Sequence, residues 1–194
     1  MPGAKIAGEP MTDLKAAREE LKKLIGKTIA EGPVKLASGK MSDFYIDGRL
    51  TTLSGRGLEL MSQLFYERIS KLDVVAVGGP TMGADPVVAG IIVESARQGH
   101  PLSGFLIRKE PKGHGMQRWV EGPALADGAR VVIVEDVVTS GGSALKAIEG
   151  LRTQYKPNIV KIMALVDRME GAAEALKAAG FEFEALFNRK DFGR

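Results

Sequence analysis

Hydrophobic positions along this chain follow two rhythms, and the rhythms alternate. Between Thr12 or Asp13, either able to cap a helix, and about Ala30, the residues Leu14, Ala17, Leu21, Leu24 and Ile25 fall on one helical stripe. Lysines and glutamates occupy the opposite, solvated face, and Gly32-Pro33 ends the helix. The stretch from Val34 to Asp47 predicts two short strands around a Ser38-Gly39-Lys40 turn. Ser54 caps a second helix to about Ser70, which buries Leu58, Met61, Phe65 and Ile69. Asp73 to Val77 predicts a buried strand running out into Gly78-Gly79-Pro80. Asp85 caps the next helix, to about Gln98, with Pro86 in its first position, where a missing N–H costs nothing.

The rhythm continues in the second half. Leu102 to Ile107 predicts a strand, and Val131-Val132-Ile133-Val134 another, short and β-branched enough to be buried on both faces. A helix follows Ser143 to about Gln154. Ile159 to Val166 is a buried strand, and Glu170 to Ala179 a short helix stopped by Gly180. Phe181 to Phe187 predicts a final alternating edge strand, and Asn188 to Arg194 an exposed tail. Alternating strands and helices imply an α/β fold, with a mainly parallel central sheet flanked by helices on both faces. We expect one domain over residues 1–194, with a small N-terminal hood at about 12–50 and a core at about 54–187.

Composition narrows this picture little. At 194 residues the chain can bury a full core, and 44% hydrophobic with 26% charged residues is ordinary for a globular protein. A net charge of +3 gives no argument for nucleic acid but is compatible with anionic substrates. The absence of cysteine excludes disulfides, thiolate metal sites and a cysteine nucleophile. The Met1–Met11 segment has no apolar core of the kind a signal peptide needs, and no apolar run approaches membrane-spanning length. We therefore expect a cytoplasmic protein with no membrane partner.

Two stretches carry candidate chemistry. In the first, the strand Val131–Val134 meets Glu135-Asp136, then Val137-Val138, then Thr139-Ser140-Gly141-Gly142-Ser143, and then a helix. A glycine-rich turn at a helix N-terminus aims backbone N–H groups and the helix dipole at one point, which suits phosphate. Acids cannot hold phosphate but can accept from sugar hydroxyls, so the order suggests a ribose 5-phosphate. Plain connection chemistry is the alternative, and the paired acids with three hydroxyl residues weigh against it. Neither a lysine-bearing P-loop nor a G-x-G-x-x-G turn is present.

The second stretch runs from Arg108 to Gly122 and holds five potentially cationic side chains, Arg108, Lys109, Lys112, His114 and Arg118, with three glycines and no periodicity. It reads either as a solvated hairpin or as a lid that closes over an anion, and we favour the lid. His114 has no partner at metal-ligand spacing, so zinc is not expected. Phe44 and Tyr45 face opposite ways if they lie in a strand. From the residues alone, core packing for both is the better reading. Gly78-Gly79-Pro80, the stretch from Arg108, the acid pair and Asp167-Arg168 all follow strands, so they should share the sheet's carboxyl edge, where ligands bind in such folds.

The acids and turn resemble the signature of the type I phosphoribosyltransferases. Leu36-Ala37-Ser38-Gly39-Lys40-Met41-Ser42-Asp43-Phe44-Tyr45 is similar to the N-terminal segment of the orotate-specific branch, Arg108–Gly115 to its catalytic loop, and Val166-Asp167-Arg168 to its orotate-contacting arginine motif. The resemblance implies transfer of ribose 5-phosphate from 5-phosphoribosyl 1-diphosphate to orotate, giving orotidine 5'-monophosphate and diphosphate in pyrimidine synthesis. It implies that Thr139, Ser140, Gly141, Gly142 and Ser143 hold the 5-phosphate, that Glu135 and Asp136 hold the ribose hydroxyls, and that Val137 and Val138 between them also belong to the site of the diphosphate sugar. Arg108, Lys109, Lys112 and His114 would bind the diphosphate. Lys112, His114 and Asp136 would be the catalytic set, with His114 a possible proton donor. Thr139, Arg168, Phe44 and Tyr45 would contact orotate, with Arg168 on its carboxylate.

Mg²⁺ would be carried by the substrate, with no direct protein ligand and water-mediated contact to Asp136. A homodimer with shared sites is implied, Lys109 acting in the partner's site. Three departures stand out: Glu135 where many members have aspartate, no lysine in Gly79–Pro86 where some bacterial members have one, and Ala37 where some members have a lysine, with Lys35 and Lys40 nearby as substitutes. A transferase for another base, or a non-catalytic sensor of the diphosphate sugar, are the rival readings. Arg168 and the basic loop argue against them.

Overall fold

A computed structural model of the chain describes residues 13–30, 32–35, 41–42, 44–111 and 118–194. The core is a six-stranded sheet of β3 (Ala76–Pro80), β4 (Ser103–Ile107), β5 (Val120–Glu121), β6 (Arg130–Val138), β7 (Asn158–Asp167) and β8 (Phe183–Asn188), in the order β5-β4-β3-β6-β7-β8. All pairs are parallel except β4 with β5. Along β6, Val132 and Val134 face one core with α1 (Leu14–Gly26), α3 (Gly55–Ile69) and α4 (Ala84–Arg97). Val131 and Ile133 face the other, with α5 (Gly142–Gln154) and α6 (Ala172–Ala178). A strand buried on both faces has no polar side to spare, hence the unbroken β-branched run.

Helix starts follow their caps. Asp13 Oδ1 accepts from Lys15 N–H at 2.9 Å, and Ser54 Oγ from Gly57 N–H at 3.1 Å. Helix α1 ends at Gly26, short of the expected Ala30, because the next residues are taken by the hood. Ile29 bridges Ile46 antiparallel, and Ala30 N–H donates to Tyr45 C=O at 2.9 Å. The hood also holds β1 (Val34–Lys35) paired with β2 (Met41–Ser42), and an unforeseen short helix α2 (Arg49–Thr52). The turn between these strands, residues 36–40, lies outside the described residues.

Three boundaries differ in instructive ways. Strand β3 starts at Ala76 rather than Asp73, which sits at φ 39°, and it absorbs Gly78-Gly79-Pro80. A Cβ on Gly78 would overlap the Phe105 ring of β4, so only glycine permits this pairing. Helix α4 is capped by Gly83, not Asp85, leaving Asp85 in the first turn, where its charge still suits the helix dipole. The C-terminal segment is not a loose tail. Arg189–Phe192 form a 3-10 turn closed by a reciprocal Asn188–Asp191 capping box. Phe192 lies 6.3 Å from Phe44 and 6.0 Å from Phe187, ring to ring. Strand β8 takes the sheet edge as expected, although its burial does not alternate.

Candidate active site

The chain leaves β3 toward β4 on one side of the sheet and leaves β6 toward β7 and β8 on the other. Order therefore reverses between β3 and β6, and a crevice opens at their carboxyl ends. It is a cleft of about 520 Å³. The hood forms one wall with Tyr45, Asp47 and Arg49, and Thr81, Met82 and Gly83 after β3 form another. Arg108 and Lys109 enter from the end of β4, Glu135 and Asp136 from β6, and Ser143 and Lys146 from α5.

The acid pair belongs to the strand, not to the turn after it. Strand β7 extends as far as β6 and pairs with it to Val138 and Asp167, so Glu135 through Val138 stay extended. Side-chain alternation sends the two carboxylates to opposite faces. Glu135 is 5% exposed, and its Oε1 has no hydrogen-bond partner among the described residues. Burial, reinforced by the neighbouring Asp136 charge, pushes its carboxyl up to about 8. Burial also raises Asp136, while backbone N–H groups and the Arg49 charge pull it back. Two glycines make room for Asp136. A Cβ on Gly48 would sit 2.8 Å from its Oδ2, and one on Gly83 would overlap its Oδ1. Arg49 grips Asp47 through Nε at 2.9 Å and Nη2 at 3.1 Å, which holds the Asp47 carboxyl below its usual range.

The turn after β6 is built to leave donors open. Gly141 caps α5 in the left-handed region at φ 79° and offers no side chain to the first-turn N–H groups. Those groups are orphan donors at the positive end of a helix. Ser143 lines the cleft directly, whereas Thr139, Ser140, Gly141 and Gly142 adjoin it without lining it. Val137 lines the cleft, but Val138 is core, 1% exposed, with its carbonyl accepting from Arg168 N–H at 3.0 Å.

Other expected residues divide. Of the aromatic pair, Tyr45 lines the cleft while Phe44 is fully buried against Phe192, so the expectation that both rings flank the base narrows to Tyr45. Arg168 does not line the cleft. It is buried, with Nη2 2.6 Å from Glu170 Oε1. Arg108 meets Glu121 at 3.2 Å, which ties together the two arms of the basic stretch. The returning arm is anchored on α5, where Gln154 Oε1 accepts from Trp119 and Val120 N–H at 3.1 and 3.2 Å. Lys112 and His114 lie outside the described residues. The sequence reading missed Asp47, Arg49, Thr81–Gly83 and Lys146. Only Lys146 had an available signal, lying three positions after Ser143 and so on the same helix face.

Comparison with known proteins agrees with this geometry. Residues 59–188 match the model of the phosphoribosyl transferase domain family. The orotate phosphoribosyltransferase of Rhodopirellula baltica is 42% identical over 178 residues, 86% of this chain and 89% of that one. The chain belongs to the orotate phosphoribosyltransferase family. Crystal structures from that family superpose closely. The Mycobacterium tuberculosis H37Rv orotate phosphoribosyltransferase in complex with Fe(III) dicitrate gives a TM-score of 0.80 at 38% identity, covering 92% of this chain and 99% of that one. The same enzyme in complex with 5-phospho-α-D-ribosyl 1-diphosphate gives 0.76 at 34% identity, with the same coverage. As an orotate phosphoribosyltransferase family member, the chain brings its acid pair and the first turn of α5, through Ser143, to the crevice where strand order reverses.

Proposed function

We propose that the chain transfers the ribose 5-phosphate of 5-phosphoribosyl 1-diphosphate to orotate, forming orotidine 5'-monophosphate and diphosphate, a pentosyl transfer in UMP synthesis. The observation that carries this reading is the succession along one strand and helix: two carboxylates in the cleft, then an N-terminus of α5 with no side-chain cap. In this reading the 5-phosphate docks on the N–H groups of Thr139 to Ser143, and the carboxyl groups of Glu135 and Asp136 hydrogen-bond the ribose hydroxyls. The sugar is thereby fixed while its anomeric carbon exchanges one ligand for another. Orotate needs no covalent enzyme nucleophile. Catalysis is then positioning plus stabilisation of charge on the departing diphosphate.

Arg108, Lys109, Lys112 and His114 supply that charge, and His114 can donate a proton. We assign Lys109 to the neighbouring subunit's site in a homodimer. Tyr45 lies against the pyrimidine ring and Thr139 at its edge. Arg168 takes the orotate carboxylate, which requires that carboxylate to displace Glu170 from the guanidinium.

The donor set suits magnesium that arrives on the substrate. No group of three acids or histidines gathers for a metal among the described residues. Mg²⁺ typically takes one or two carboxylates, keeping water and phosphate oxygens for the rest, and Asp136 is well placed to hold it through water. When bound, the ion neutralises charge on the leaving group. No helix among the described residues is long and apolar enough to cross a membrane. We place the enzyme in the cytoplasm with no nucleic-acid partner.

The test is the loss of orotate absorbance with magnesium and the diphosphate sugar. Turnover of uracil or adenine in place of orotate would reject the assigned base. No turnover of any base would reject the enzyme.

A further inference from the structure

We infer that Lys146 is a substrate-binding residue that holds the leaving diphosphate from the α5 wall of the cleft. This rests on the cleft being a phosphoribosyl site. Ser143, Lys146 and Ala147 lie three and four positions apart on α5, and all three line the cleft. Long helical side chains lean back toward the helix N-terminus, so the ammonium of Lys146 is carried toward the cleft mouth. Lys146 is exposed and makes no hydrogen bond or ion pair among the described residues.

The other cations of the cleft differ in this respect. Arg49 is committed to Asp47, and Arg108 is engaged by Glu121. Among the described cations that line the cleft, Lys109 alone shares the uncommitted state of Lys146. Meanwhile the wall after β3, Pro80 to Ala84, contributes no cation. The acidic side chains Asp47, Glu135 and Asp136 also line this space and offer nothing that attracts a diphosphate. A diphosphate entering it needs positive charge that the β3 side lacks, and Lys146 is the group on the facing side that is free to give it. The 5-phosphate is a poorer target. Its cradle is the start of α5, where only Ser143 shares the lining with Lys146 and Thr81–Gly83 while Thr139 to Gly142 fall outside it, and backbone N–H groups already serve that phosphate. A plainly solvated lysine is the competing account, and it would leave ligand binding unchanged.

Calorimetric titration of the intact protein with magnesium diphosphate and, separately, with ribose 5-phosphate decides between these. Lys146→Ala should weaken magnesium diphosphate at least tenfold and ribose 5-phosphate less than twofold. The Michaelis constant for the diphosphate sugar should rise and that for orotate stay. Lys146→Arg should recover diphosphate binding to within threefold. Unchanged diphosphate affinity overturns the assignment, and so does a parallel loss for both ligands, which would place the lysine on the 5-phosphate. Should the alanine variant not fold, Lys146→Gln removes the charge at similar length and the same criteria apply. If the wild type binds diphosphate in this Lys146-dependent way yet does not consume orotate, the base assignment fails and Lys146 stands. If orotate is consumed and the variants bind normally, Lys146 alone fails.

Discussion

The anchor formed by β6 and α5 and the rim formed by the hood and the basic stretch are held by different forces. In the anchor, every functional group is fixed by backbone: the acids by strand pairing with β7, the open N–H groups by the left-handed Gly141. In the rim, Arg49 and Arg108 are held by partly exposed side-chain ion pairs, to Asp47 and Glu121, and among the described residues Lys109 has none. Exposed pairs contribute little to stability, so the rim can rearrange when ligand arrives, while the anchor cannot. In the proposed reading the unreacting end of the substrate rests on the stable part of the protein, and the departing group lies between the adaptable rim and the one flexible cation of the anchor, Lys146.

The sharpest break of that comparison is Gly141→Val. A β-branched residue at φ 79° costs about 1–2 kcal/mol in backbone strain, and it crowds the donors at the start of α5. Both the melting temperature and the affinity for ribose 5-phosphate should fall, the latter about a hundredfold. Retention of normal affinity would show that the cradle is elsewhere. A rim change should behave oppositely. Lys112→Ala is expected to lower turnover at least tenfold, about 1.4 kcal/mol of transition-state stabilisation, with an unchanged melting curve. Steady-state kinetics with full turnover would remove Lys112 from the reaction.

Arg168→Ala tests the base end. Several-fold weaker orotate, about 1 kcal/mol, with an unaltered constant for the diphosphate sugar is the expected split. The reverse split would sink the carboxylate role.

The last test concerns Glu135, bears on stability rather than on substrate, and is read without ligand. Its folded value, about 8, lies above the ordinary 4.5, so the folded state holds a proton that the unfolded state releases. Stability from this group is therefore lost as pH rises from about 4.5 through about 8. Glu135→Gln should flatten that decline. It should be the more stable protein at pH 8 by about 1–2 kcal/mol, since water in the open cleft relaxes part of the charge. Denaturation curves that stay parallel for both proteins from pH 5 to 8 would contradict it.

Much of this arrangement was legible in the chain. Strand and helix rhythm predict the α/β class and the sheet edge where the cleft opens, because both follow from local periodicity. What escaped depended on partners distant in sequence. The acids read as loop because polarity usually ends a strand, yet β7 pairs with them to Val138. Gly78 and Gly79 read as a strand end, although the Phe105 ring explains why glycine stands within the strand. Phe44 and Tyr45 could not be separated until the C-terminal turn supplied the ring that buries one of them. Lys146 is not legible from the glycine turn alone, because it lies one helical turn past the last hydroxyl and shares a face with Ser143 only once α5 is formed.

That C-terminal turn also has a practical bearing. Phe192 wedges beneath Phe44, whose neighbour Tyr45 faces the cleft, and Arg18 of α1 lies 4.3 Å over the Phe187 ring while bonding Asp191 at 3.3 Å. The last residues thus serve as a keel under the hood. Clipping residues 189–194, or fusing a bulky affinity handle there, should be felt first as looser selection of the base, at a point no mutation scan of the cleft would think to probe.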